Sequence, residues 1–187
     1  MLAAMTALAK PRMTVDEYLD WAVGRPGRYE LFRGEVFAMS PETSGHAETK
    51  ANVHAALLAA IRQQRLSCHV LPDGMTVRID SDTAYEPDVL VYCGQKLPPS
   101  AIEVPEPMIL VEVLSPSTRR IDVSRKLADY FRLPSVMHYL IIDFARPHVL
   151  HHARGTSGTI LTRIVTEGTV TLDPPGIEFA VAEIFGT

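Results

Sequence analysis

Two cysteines, Cys68 and Cys93, are all the thiol chemistry in this 187-residue chain. They lack the CxxC spacing of a thiolate zinc site and make no disulfide framework, so both classes drop out and a reducing cytoplasm is the expected compartment. Long apolar runs are missing as well. No stretch approaches the roughly 20 residues that cross a bilayer, and the mildly apolar start MLAAMTALAKPR has no basic segment ahead of it, as a secretory signal would. A surplus of positive charge is also absent. The 18 Lys and Arg against 22 Asp and Glu give a formal charge of −4, and the sequence pI is near 6.0, so no global basic field draws in nucleic acid. A polyanionic partner would have to be met by a bound cation and a local basic patch. A Gly-rich phosphate-cradling loop and a GxSxG elbow are missing too, which removes the P-loop and hydrolase-elbow readings.

What remains has the balance of an ordinary globular protein. Hydrophobic residues make up 47% and charged residues 21%, and the mean hydropathy is +0.07, with no sign of bulk disorder. A domain near this size removes roughly 70% of its unfolded surface from water. We expect a tail over residues 1–13 and a single domain over 14–187.

Thr14 followed by Glu17 has capping-box spacing and should open a short helix through Tyr18, Leu19 and Trp21, ended by Gly24 and Pro26. YELFRGEVFAMSP reads as a hairpin turning at Arg33 and Gly34. From Ser44 to about Arg65, Val53, Leu57 and Ile61 recur four apart, the pattern of a long buried helix. Strand-like runs follow at Cys68 to Leu71, Met75 to Ile79, Pro87 to Tyr92 and Met108 to Leu114, the last two apolar enough to be covered on both faces. Arg119 to Arg132 is a second helix, capped by Ser117 or Thr118 and stopped before Pro134. His138 to Asp143, His148 to Ala153 and Ile160 to Val165 are strands, with a last segment around Ile177 to Ile184. The fold class expected is α/β, a mixed sheet flanked by the two longer helices, with the late strands extending one edge.

Three charged residues stand where burial should exclude them. Asp88 opens the apolar run PDVLVY, Glu112 interrupts MILVEVLS, and Lys126 lies in the following helix. A carboxylate inside an apolar strand costs several kcal/mol, or takes up a proton, unless a positive partner compensates it. One divalent cation would compensate two carboxylates, and a nearby lysine could orient the attacking water, which makes a minimal set for phosphodiester hydrolysis. Each residue also has a plainer reading: Asp88 as a strand-start turn residue, Glu112 as half of a buried ion pair, Lys126 as a solvated helix residue. On the helix, Val123, Leu127 and Phe131 form an apolar track. Asp122, Lys126 and Tyr130 run beside it, which puts Lys126 at the edge of the buried face. Arg119, Arg120 and Arg125 supply the local basic patch, for phosphate or simply for solvent. His151 and His152 should point to opposite faces of a strand and cannot both serve one metal.

The segments YELFRGEVFAMSP with His46 downstream, EPDVLVY, ILVEVLSPSTRRIDVSRKLADY and YLIID together resemble the Uma-two family of restriction-endonuclease-like proteins, over roughly Thr14 to His152. The resemblance implies the PD-(D/E)XK nuclease fold, with Asp88 and Glu112 as its metal-binding acids. The superfamily's lysine would stand two residues after the acid, where this chain has Leu114; Lys126 on the helix is the match. Glu30 and His46 also fall on family positions, Glu30 toward the metal or paired with Arg28 or Arg33, His46 toward phosphate or a local cap. The expectation is that Asp88, Glu112 and the Val113 carbonyl bind Mg²⁺ or Mn²⁺ while Lys126 positions water. Asp122 would orient Lys126 or an arginine. DNA is the expected substrate and a homodimer the expected assembly; the competing reading is a catalytically silent nuclease fold that binds DNA or a protein. Whether the Lys126 ammonium comes within roughly 4 Å of the two carboxylates separates them.

Overall fold

The computed structural model describes residues 12–114 and 122–185, with the backbone alone at 122 and 123. Its centre is built by the most apolar stretches of the chain. In order, the elements are α1 (Val15–Ala22), β1 (Tyr29–Phe32), β2 (Glu35–Ala38), α2 (Ser44–Gln63), β3 (Cys68–Pro72), β4 (Val77–Arg78), β5 (Ala84–Tyr85), β6 (Val89–Cys93) and β7 (Ile109–Val113). A π-helical turn, Asp122–Lys126, then runs into the short helix α3 (Leu127–Tyr130). β8 (His138–Asp143), β9 (His148–Arg154), β10 (Ile160–Val165), β11 (Thr169–Leu172), β12 (Ile177–Ala180) and α4 (Val181–Phe185) complete the chain, with one 3₁₀ turn at Thr156–Gly158.

Six strands form the main sheet in the order β10-β9-β8-β7-β6-β3. It is mixed: β7 and β8 are parallel, and the other pairs are antiparallel. All residues of β7 and β8 are buried, as strands sandwiched between layers must be. Alternation divides them cleanly. Val89, Val91, Ile109, Val111, Val113, Leu140 and Ile142 face α2, whose Val53, Leu57 and Ile61 pack onto them. Leu90, Leu110, Leu114, Tyr139 and Ile141 face the other way, onto Tyr130 of α3 and Val77 and Tyr85. Each fully buried side chain of this kind contributes roughly 1.5–3 kcal/mol of apolar transfer energy, so both layers are firmly attached.

The mixed α+β architecture with flanking helices is the one expected, as is the edge extended by β8, β9 and β10. A second sheet, β2-β1-β5-β4, and a β11–β12 hairpin were not anticipated. The β1–β2 hairpin is the one expected from YELFRGEVFAMSP; β5, β11 and β12 are two to four residues long, too short for periodicity to register. The expected strand Met75 to Ile79 contracts to Val77–Arg78. Thr14 closes the capping box with Glu17 as expected. The β1–β2 turn has two residues at positive φ, Arg33 at 50° and Gly34 at 77°, the primed hairpin geometry that follows strand twist. A Cβ at Gly34 would also stand 2.6 Å from that of Arg12, so this position takes only glycine.

The cysteines correct the sequence reading. Cys68 and Cys93 are register partners on β3 and β6 and form a disulfide. Twenty-five residues separate them along the chain, and only strand pairing brings the two side chains face to face.

Candidate active site

β6 and β7 pair antiparallel with Val89 opposite Val111 and Leu90 opposite Leu110. Asp88 lies just ahead of β6, beyond the Val89–Val111 pair that ends the ladder, and Glu112 follows Val111 on β7. Each acid is 4% exposed. Burying a carboxylate carries the cost of desolvation, so these two stand only with positive or donor groups around them. Asp88 Oδ2 accepts the Val113 amide at 2.7 Å. Burial pushes the Asp88 carboxyl above its ordinary range, and the Val113 N–H, His46, Lys50 and Lys126 pull it back only in part.

The donors for Glu112 come from the helical segment after β7. Lys126 Nζ lies 2.8 Å from Glu112 Oε1 and 2.8 Å from Glu30 Oε1 on β1. The Tyr130 hydroxyl, one turn on, donates to the same Glu112 oxygen at 2.9 Å. Burial and the Glu112 charge raise the Tyr130 phenol well above its usual range, which keeps it a donor. Lys126 Nζ also sits 5.2 Å from the centre of the Tyr85 ring. The helix itself is held from outside: Tyr85 donates to Asp129 Oδ2 at 2.6 Å. The Arg154 guanidinium of β9 donates to the carbonyls of Phe131, Leu133 and Val136 at 3.0, 2.7 and 2.8 Å, satisfying groups that a helix C-terminus leaves open.

From the opposite face, α2 contributes His46 and, one turn later, Lys50. His46 Nε2 donates to the Val113 carbonyl at 2.8 Å and lies 3.6 Å from Asp88 Oδ2; a carbonyl only accepts, so Nε2 carries the hydrogen. Lys50 Nζ lies 2.5 Å from both Glu42 Oε1 and Asp73 Oδ2 and 3.8 Å from Asp88 Oδ1. Arg28 joins the same acids, at 3.1 Å to Glu42 and 2.7 Å to Asp73, and reaches Glu86 at 3.4 Å. The Glu86 amide donates to Glu30 Oε1 at 3.2 Å, which closes the network back to Lys126. Among the described residues this network joins six carboxylates, those of Glu30, Glu42, Asp73, Glu86, Asp88 and Glu112, to three full cations, Arg28, Lys50 and Lys126.

Asp88, Glu112, Lys126, Glu30, Tyr130, His46 and Val113 are thus brought together. The Lys126 contact to Glu112 is direct, and Asp88 feels the same ammonium through its field. Glu30 takes Lys126 as its partner in place of Arg28 or Arg33. Arg125 stacks its guanidinium 4.0 Å over the Phe32 ring. Arg119 and Arg120 lie outside the described residues, as does the Asp122 side chain. Lys126 is not at the edge of the buried face, as helical geometry implied. Lys126 and Tyr130 are the buried track, at 3% and 0% exposure, and Leu127 and Phe131 are the half-buried one. A carboxylate on the sheet face needs donors more than apolar cover, and the π-helical turn departs from the 100° step on which the tracks were drawn.

Sequence reasoning missed Lys50, Arg28, Glu42, Asp73 and Glu86. Lys50 carried a signal, standing four residues after His46 on one helix face; the loop acids carried none. The histidines on the late strands do point apart as expected. His151 meets His138, ring nitrogens 2.9 Å apart, and His152 meets Thr162 at 2.8 Å.

Two carboxylates and a main-chain carbonyl are hard oxygen donors of the kind Mg²⁺ and Mn²⁺ take, with room for water and substrate oxygens to complete the shell. No cluster of three or more His, Cys, Asp or Glu side chains poised for a metal exists among the described residues. No described helix is long and apolar enough to cross a membrane.

Comparison with known proteins gives a consistent result. The sequence model of a family described as "putative restriction endonuclease" matches residues 15–182. Two uncharacterised proteins of Synechocystis sp. (strain ATCC 27184 / PCC 6803 / Kazusa) are similar. One is 25% identical over 99% of this chain and 97% of its own length, the other 25% identical over 83% and 89%. A crystal structure of a putative nuclease belonging to DUF820 from Anabaena variabilis superposes with a TM-score of 0.74. It covers 93% of this chain and 98% of that one at 16% identity, which establishes the shared fold.

Proposed function

The chain belongs to the Uma-two family of restriction-endonuclease-like proteins, and on that footing we propose that it is a metal-dependent endonuclease that hydrolyses phosphodiester bonds in DNA. The observation that carries the reading is that two buried acids converge on adjacent residues of β7, Asp88 through the Val113 amide and Glu112 in place, with Lys126 seated on Glu112. Burying two acids costs stability, and that cost has a use where a cation is to be held.

In this reading Asp88, Glu112 and the Val113 carbonyl hold Mg²⁺ or Mn²⁺, which supplies Lewis acidity toward a phosphate oxygen and lowers the pKa of water. His46 Nε2 holds the Val113 carbonyl in place, and the Asp88 carboxylate is fixed by the Val113 amide. Lys126 Nζ, steadied by Glu30, orients the attacking water and offsets charge growing on phosphorus. Tyr130 keeps the Glu112 carboxylate aimed. Arg125, Arg119 and Arg120 are the candidates for phosphate contacts along the backbone.

Cutting both strands of a duplex needs two copies of the site, and we place the second copy on the exposed edge strand β10. Antiparallel self-pairing centred on Thr162 sets Ile160 of each copy opposite Ile164 of the other. These two side chains are 38% and 69% exposed and lie on one face.

The test is incubation of the purified protein with plasmid and linear DNA in Mg²⁺, Mn²⁺ or EDTA, beside Glu112→Gln. The expected outcome is metal-dependent nicking or cutting that falls at least about 100-fold in the variant, since even residues behind metal ligands are worth about 10–100-fold. Cleavage that persists equally in Glu112→Gln would falsify the site. Binding to DNA without cleavage in any metal identifies the silent-fold alternative, to which buried Leu114 at the usual lysine position belongs.

A further inference from the structure

Lys50 has no part in the chemistry above, yet it is as tightly held as Lys126. Its ammonium is enclosed by three carboxylates from three separate segments: Glu42 ahead of α2, Asp73 after β3 and Asp88 ahead of β6. The residue is 9% exposed. Three oxygens around one small positive charge is the donor chemistry a hard divalent ion uses. In two-ion sites the ions lie about 3.5–4 Å apart and share a carboxylate. Asp88 is placed as such a shared group: Oδ2 is turned to the Val113 amide and His46, and Oδ1 to Lys50.

We propose that the Lys50 ammonium is a built-in cation at the second-ion position, so that the protein takes a single divalent ion and Glu42 and Asp73 serve to seat the lysine. This rests on the metal reading of Asp88 and Glu112. A tethered ammonium that hydrogen-bonds Glu42 and Asp73 and stands 3.8 Å from Asp88 Oδ1 is present at any magnesium concentration and cannot leave with product. A cavity of about 340 Å³ between α2 and β3 opens directly onto Lys50, Asp73 and Asp88, with Ala47, Ala51 and His54 along its wall. Shortening the lysine therefore leaves a space connected to solvent and lined by Glu42, Asp73 and Asp88, with Arg28 still on one side of the first two, where a hydrated ion can enter.

The experiment is Mn²⁺ stoichiometry on the full chain, by electron paramagnetic resonance of free Mn²⁺ and by calorimetry, with circular dichroism confirming the fold. Wild type should bind one ion, Lys50→Ala two, and Lys50→Ala with Asp73→Asn one again; Lys50→Arg, which keeps a cation, should stay at one. Two ions on wild type overturn the proposal without need of any variant. A folded Lys50→Ala that binds one ion or none also overturns it while leaving Asp88 and Glu112 in place. No ion on wild type removes the metal reading itself, and this inference with it.

Discussion

Replacing Lys126 with methionine removes the ammonium and leaves an unbranched chain of similar length in the same slot. The lost group makes two 2.8 Å ion pairs, to Glu112 at 6% and Glu30 at 15% side-chain exposure. Breaking a buried pair from one side costs about 3–5 kcal/mol, because the remaining charge keeps its desolvation cost without its partner. For a domain of this size each kcal/mol moves Tm by roughly 2–4 °C, which predicts a fall on the order of 10 °C. The sign of the pH dependence follows from Asp88. Its carboxyl is already raised in the fold by burial, and Lys126 is one of the groups pulling it down. Without Lys126 the folded state binds still more protons than the unfolded one, so stability is lost as pH rises from about 4 upward. The deficit of Lys126→Met is therefore larger at pH 8 than at pH 5. Magnesium should shrink it, because the variant lacks a cation beside Glu112 and should bind the ion more tightly than wild type, each tenfold in Kd being worth about 1.4 kcal/mol. Thermal melts of both proteins at the two pH values, with and without Mg²⁺, test all three statements. A deficit below about 2 °C, or one equal under all four conditions, refutes the electrostatic account of the site.

Tyr130→Phe removes the donor to Glu112 and should destabilise by about 1.5–3 kcal/mol, the value of a hydrogen bond to a charged group, read from the urea midpoint. His151 is pushed down to about 4 by burial, with His138 next among the causes, and His138 is lowered as well. Their stabilising contribution is complete above pH 6.5 and is lost as the pH falls toward 4. His151→Phe should flatten stability across that interval, and an unchanged slope sinks the argument. Ile164→Lys puts two charges into the proposed β10 seam and should turn a dimer into a monomer in sedimentation velocity; wild type already monomeric at micromolar concentration excludes that interface.

Long periodic segments were the legible part of this chain. α2, β6, β7 and β8 could be read because their apolar residues repeat over many positions, and Glu112 was visible because it breaks such a repeat. The contact of Asp88 with the Val113 amide beside Glu112 depends on how β6 and β7 pair, which sequence gives only as a pairing that is available. The burial order on the Lys126 helix came out reversed, because the reading ranked side chains by polarity and could not weigh the demand of a carboxylate on the neighbouring sheet. Glu42, Asp73 and Glu86 sit in or beside loops, where acidic residues are ordinary, and acquire meaning only through Lys50 and Arg28. The Cys68–Cys93 bond was hidden for the same reason as that contact: partners on neighbouring strands have no fixed spacing along the chain.

The lysine of this site ends the π-helical turn that leads into α3, a four-residue helix too short to be stable alone in water. Its acids belong to the sheet, among the last parts of a protein to open. α3 stays in place through buried Tyr130, through Tyr85 on Asp129, and through Arg154, whose guanidinium holds three carbonyls of the segment that follows. Release of that segment with strands β6 to β9 still paired would take the ammonium away from Glu112 and disarm the site ahead of global unfolding. The molecule's tolerance to heat and its working range are then two separate properties, the first set by valines and isoleucines in the sheet and the second by one arginine on β9.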